Sequence, residues 1–393
     1  MMALHQKMLV SVAAACLLPT APVALAAEVG VSGTEVRIGE ILPLTGPASL
    51  AGKAHFLGTK LAVAEANDQG GVNGRKVVVI TEDDGYVPAR TFQAAKKLVE
   101  TDKVFGITGT SGTTHMAAMT PYLVSKNVPT IVSINPNQIA YDPPKPSIFV
   151  VGTDYGDAIY AQMKYFAEKL NLRDAPFSVI YQDDDFGLNV LAGYRRAIKD
   201  LKLKNVAETP YKRGQKDFGA EVLKVKEAGA RVIVSGGIIS ENVAIMKEAE
   251  KLGMNAPIAT VWTAHLPTVQ KLAGKAGNGY YSADYVLTLT EDKAKPFNNL
   301  AAKYLSADEI KDVNRYTETA YVGARLLIEA MRTCGQDVTR ACAISALESG
   351  KKFDVGTPMP PVSFAKNVRV SRAPVRVLRS DADNNRFVPV TEF

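Results

Sequence analysis

The hexapeptide Gly109-Thr110-Ser111-Gly112-Thr113-Thr114 gathers hydroxyls and glycines between an apolar run and a helical one. Hydroxyls and backbone N–H groups at the start of a helix can cradle an anion or a carboxylate. The same residues also suit a tight turn with a Ser/Thr cap. GxxxxGK[ST] and GxGxxG are absent, so this is not a nucleotide loop. Asp183-Asp184-Asp185 offers adjacent carboxylates. Neighbours on an extended segment point to alternate sides, so the run reads as a solvated loop rather than a metal site or an acid/base pair. GxSxG is missing too, which removes the hydrolase nucleophile elbow. His5, His55, His115 and His265 show no metal-ligand spacing. The pattern points away from an enzyme, a metal or a cofactor and towards binding. The single tryptophan, Trp262, sits where an apolar strand ends, so it is either a core residue or a ligand wall.

The elements that must position these residues alternate. VRIGEIL (36–42), KVVVIT (76–81), VFGIT (104–108) and PTIVS (129–133) read as strands, with helical segments between them. The pattern restarts with SIFVVG (147–152), FSVIYQ (177–182), VAETPY (206–211), RVIVSGG (231–237) and PIATVW (257–262). Alternation of this kind predicts βαβ units and parallel sheets. Three helical segments follow, and VRV, VRVLRS and RFVPV close the chain as short strands. Their arginines alternate with apolar residues, as on the wet face of an edge hairpin. Gly109 to Pro129 and Gly237 to Pro257 both span 20 positions, each running from a glycine-ended strand through a helix to a proline. That repeat predicts two lobes of similar fold, with Ile134 and Trp262 in equivalent places. Ligands in open α/β sheets bind beyond the carboxyl ends of the strands. Those ends are 44–52, 83–84, 109–114, 134–137, 183–186, 236–241 and 261–263, so Trp262 is expected to look into a crevice between lobes.

At 47% hydrophobic and 22% charged, the 393-residue chain has room for two globular domains. Its net charge of +6 is spread among acidic residues without a basic, aromatic-interleaved run, which argues against nucleic acid. Residues 1–26 read as a secretory signal peptide: one lysine, an apolar stretch, then Ala24-Leu25-Ala26. Cleavage near Ala26 implies export. Lipidation at Cys16 is the weaker reading, since it would leave an apolar tail unburied. In an exported chain Cys334 and Cys342 favour a disulfide over a metal site; two free buried thiols are the alternative.

Five segments taken together resemble the leucine/isoleucine/valine-binding family of ABC-importer solute-binding proteins, which have the type I periplasmic fold. They are VRIGEILPLTGPASLAG, the block from Ala64 to Val99 with its GGVNG and DD, the glycine–threonine loop, YQDDDFGLNVLAGYRRAI, and KDFGAEVLKVKEAGARVIVSGG. The resemblance implies an α/β fold class: two doubly wound lobes with parallel-sheet cores, joined by three crossovers, with the ligand cleft between them. The crossovers are expected near 152–155, 283–286 and 357–362, giving one lobe of 27–153 plus 285–359 and another of 154–284 plus 360–393. It also implies a periplasmic protein that captures a small molecule by lobe closure and hands it to an ABC permease and its ATPase; a sensor of the same fold is the rival. The family's carboxylate hydroxyl matches Thr113, with Gly112 beside it, and Ser111 is expected as a second carboxylate hydroxyl. The loop after the fourth strand departs from the family pattern and offers Asn135. Aromatic positions of the second lobe match Phe186 and Ile238, and Tyr316 is expected as a first-lobe lid. The family's acidic partner for an α-ammonium falls on Trp262. The resemblance therefore favours a carboxylate with an aromatic or branched apolar body over a branched-chain amino acid, unless Glu241 or Glu318 supplies the missing charge. YQDDDFG is similar to a subgroup linked to aromatic and other small carboxylates.

Overall fold

A computed structural model describes residues 28–110, 112–356 and 359–393. The leader, Cys16 and Ser111 lie outside the described residues. The chain forms β1 (Glu35–Leu42), β2 (Lys76–Asp83), β3 (Gly106–Thr108), β4 (Thr130–Val132) and β5 (Ile148–Val151). It then forms β6 (Pro176–Gln182), β7 (Lys204–Tyr211), β8 (Val232–Gly236), β9 (Ile258–Thr260) and β10 (Tyr281–Asp284). Last come β11 (Val370–Ser371), β12 (Arg376–Asp381) and β13 (Arg386–Pro389).

Two sheets result. The first has the order β11-β5-β4-β3-β1-β2 and is parallel throughout. The second has the order β13-β12-β10-β9-β8-β6-β7 and is parallel except at β12 and β13. Within each sheet the first five strands follow the same winding, so the internal repeat is visible in the topology. β3, β4, β5, β8 and β9 are buried along their whole length, which is why they are short unbroken apolar runs rather than alternating ones.

The chain leaves the first sheet after β5, and the helix Tyr155–Lys169 packs beside the second. It leaves the second sheet after β10, and the helix Arg315–Arg332 packs on the helix Ser49–Asp68 of the first lobe. The third crossing differs from the expected 357–362. Val370 and Ser371 pair with β5, so the chain stays with the first lobe until Ser371 and reaches the second sheet only at Arg376. Among the closing arginines, Arg372 and Arg379 are exposed as on a wet face, but two differ. Arg369 is buried over the Phe149 ring and pairs with Glu348, and Arg376 is buried against Glu291. An ion partner within reach lets each guanidinium be buried where its alternation pattern alone would place it in water.

Cys334, at the end of a helix, and Cys342, in the first turn of Arg340–Glu348, are joined as a disulfide. Among the described residues, no helix is long and apolar enough to cross a membrane, and no three His, Cys, Asp or Glu side chains gather as a metal site requires.

Candidate functional site

Strand order reverses between β1 and β3 in the first sheet and between β6 and β8 in the second. Such switch points open a crevice at the carboxyl ends of the strands. Here the loops after all four strands contribute to one cavity, through Pro43 and Ala48, Thr110, Gly112 and Thr113, Phe186, and Ile238-Ile239. Two glycines allow the close approach. A Cβ on Gly52 would strike the Pro43 carbonyl, and one on Gly187 would strike the Gln182 backbone. The second contact lets the chain turn directly after β6 and present Phe186.

The first-lobe face is polar. The helix Thr113–Ser125 begins at this loop with Gly112, in extended backbone, as its cap residue, and no side chain caps it. Thr113 Oγ1 is therefore free of capping. It is buried without a hydrogen-bond partner of good geometry, although the Tyr155 phenol lies beside it. Asn135 Oδ1 accepts from Thr110 Oγ1 at 2.7 Å, which leaves Asn135 Nδ2 buried and unpartnered. Buried polar groups are normally satisfied, and an unmade bond costs about 1–3 kcal/mol. A hydroxyl and an amide N–H₂ lining one cavity suit the oxygens of a carboxylate.

The second-lobe face is aromatic and aliphatic. Trp262, 1% exposed, stacks on Tyr155 with centroids 4.6 Å apart and meets Tyr285 edge-on at 5.2 Å. Tyr155 in turn meets Phe186 edge-on at 4.8 Å. The tryptophan thus belongs to the core and to the cavity wall at once. Ile134 and Trp262 line the same cavity from opposite lobes, as their matching positions in the repeat suggest.

Thr113, Asn135, Phe186, Ile238, Trp262 and Tyr316 all line this cavity. Glu241 and Glu318 do not. Burial raises the Glu241 carboxyl on the first turn of Ile239–Lys251, and Glu318 lines a different cavity. Among the described residues the lining contains no carboxylate. Two contributors escaped sequence reasoning, Tyr86 and Tyr155. Both had a signal: Tyr86 follows the Asp83-Asp84 strand end, and Tyr155 lies in the first crossover. Tyr86 adopts φ 63°, a left-handed conformation held by its N–H donating to Asp84 Oδ1 at 2.9 Å. Its ring lies between His115, at 4.5 Å, and the Arg213 guanidinium, at 5.2 Å. Burial lowers His115 to about 4, with Asp84 opposing, so the imidazole is neutral at pH 7.

The lobes meet at the cavity mouth and at the hinge. Arg213, which follows β7, donates from Nη2 to Thr114 Oγ1 at 3.1 Å and pairs with Asp184, the cap of the helix Asp185–Asp200. Asp183 pairs with Lys212, so the aspartate run does hold salt bridges and a helix cap. At the hinge, Arg315 grips Asp284 through Nε at 2.7 Å and Nη2 at 3.0 Å. Burial pushes Asp284 upward, but the charge of Arg315 and the bonds from His265 and Arg315 outweigh it and hold the carboxyl at about 2.

Two doubly wound lobes meet on one cavity at their paired switch points, the architecture of type I periplasmic binding proteins. The chain belongs to the periplasmic binding protein family, whose sequence model matches residues 35–385. It is 25% identical over 343 residues to Leu/Ile/Val-binding protein homolog 7 of Brucella abortus (strain 2308), covering 84% of this chain and 86% of that one. Its fold matches a branched chain amino acid ABC transporter protein from Thermus thermophilus with bound valine, at TM-score 0.80 and 22% identity, covering 91% and 96% of the two chains. A fatty acid ABC transporter substrate-binding protein from Thermomonospora curvata matches at TM-score 0.82 and 22% identity, covering 94% of each chain.

Proposed function

We propose that this protein is the periplasmic solute-binding component of an ABC importer, and that its ligand is a small carboxylate with an aromatic or branched apolar body. The reading rests on one arrangement. Thr113 Oγ1 and Asn135 Nδ2 are unpartnered on one lobe, opposite Phe186, Ile238 and Trp262 on the other, with no carboxylate among the described lining residues. A buried α-ammonium would lack an anionic partner there, and an unpaired buried charge costs several kcal/mol. An indole face returns only about 1–2 kcal/mol of that. Branched-chain amino acid binding by relatives is compatible with the carboxylate half of the site and not with an ammonium half. The N-terminal leader pattern and the paired cysteines support export to an oxidising compartment. Membership of the family supports delivery to a permease and ATPase.

Calorimetric titration of leucine, its α-keto analogue and phenylacetate tests the reading. A desamino acid is expected to bind at least tenfold more tightly than leucine. Micromolar leucine binding with the desamino acids silent would overturn it.

A further inference from the structure

A second cavity opens at the hinge. Its walls come from three parts of the chain: Phe387 of β13 and His265 in the second lobe, Leu287 and Leu289 on the segment leaving β10, and Glu318 on the helix Arg315–Arg332 of the first. The rim at Pro267, Thr290 and Arg386 is open to solvent, and the floor is buried.

The charges around it pair almost completely. Asp284 takes Arg315 at 2.7 Å and His265 Nδ1 at 2.6 Å. Glu291 takes Arg376, and Asp381 takes Arg386 at 2.8 Å. Glu318 is the exception. It is fully buried, lines the cavity, and neither carboxylate oxygen has a hydrogen-bond partner. Burial, with the charge of Asp284, raises its carboxyl well above the ordinary range, while Arg315 and Arg376 oppose this. A carboxyl left in this condition is a cost to the fold unless something else uses it.

We infer that the hinge cavity is a second ligand site, for a primary ammonium carrying a short apolar body. The ammonium pairs with Glu318, and the body packs on Leu287, Leu289 and Phe387. A bound ammonium holds Glu318 ionised against the burial that otherwise keeps its carboxyl protonated. An anion would sit beside Asp284, whose own cation is already engaged. The site is separate from the cleft but not remote from it: the Arg315 guanidinium lines the hinge cavity and packs on the rings of Trp262, at 5.7 Å, and Tyr316, at 4.9 Å, which line the cleft.

The probe is n-butylammonium, titrated calorimetrically into the protein alongside butyrate and n-butanol. Millimolar or tighter binding of the ammonium alone is expected, weakened at least tenfold in Glu318→Gln. Glu318→Leu serves as a second variant should the first fail to fold, because it replaces a lone buried carboxyl with an apolar side chain. Thr113→Val should leave this binding unchanged, which separates the hinge site from the cleft and from the proposed carboxylate ligand. Equal binding to wild type and either Glu318 variant, or preference for butyrate, would overturn the inference.

Discussion

The indole of Trp262 lies nearly parallel to the Tyr155 phenol, with planes 19° apart, and both rings line the cleft. A ligand seated between the lobes therefore changes the surroundings of the only tryptophan in the chain. Its intrinsic emission is expected to shift and saturate with ligand. Trp262→Ala should cost about 3–5 kcal/mol of stability as well as affinity. Truncation thus mixes two roles, and emission separates them. An unchanged spectrum on confirmed binding would leave Trp262 as core alone.

Thr113→Val removes a hydroxyl that caps nothing and makes no hydrogen bond of good geometry among the described residues. The melting temperature should hold or rise slightly. Affinity for a carboxylate should fall roughly tenfold to a hundredfold, because a hydrogen bond to a charged group contributes about 1.5–3 kcal/mol. A fall in melting temperature with affinity intact would return Thr113 to a structural role.

Arg213 reaches across the mouth to Thr114 and lies over Tyr86 without lining the cavity. Its loss should act on the closed state rather than on ligand contacts. Arg213→Ala is expected to weaken binding by about tenfold, from one hydrogen bond and one ring contact. The change should sit in the dissociation rate, read by stopped-flow emission. An unaltered dissociation rate would show that the mouth contact carries no closure energy.

Glu40, on β1, is fully buried within the first lobe and accepts from Thr81 at 2.7 Å. Burial raises its carboxyl to about 7, outweighing the threonine hydroxyls. The folded protein then holds a proton that the unfolded chain releases near its ordinary value of 4.5. Stability from this group is full below that value and is lost as pH rises towards 7. Glu40→Gln should therefore gain on wild type across this window, by up to about 3 kcal/mol. Denaturant unfolding at pH 4.5 and 7.5 measures it. An equal difference at both pH values would show that Glu40 ionises normally.

Much of the site was legible because topology repeats. The strand ends could be collected from apolar runs, and the equal glycine-to-proline spacings put Ile134 and Trp262 on facing walls. Tyr86 and Tyr155 were harder to see, since neither ends a strand that their own apolar pattern announces. Arg369 and Arg376 misled for a physical reason: alternation reports which way a side chain points, not whether an acidic partner waits there. β10 escaped because a four-residue strand carries almost no periodicity, whereas the VRV run at 368–370 did announce β11.

β11 also bears on how the molecule is made. Thr153, just past β5, donates its hydroxyl to the Ala373 carbonyl, 220 positions away. The first sheet gains its outer strand, and the second its last two, only after nearly the whole chain is available. Closing such long loops is entropically slow to repay. Neither lobe can complete its sheet on a partial chain, so the lobe that begins first in sequence has no head start in finishing.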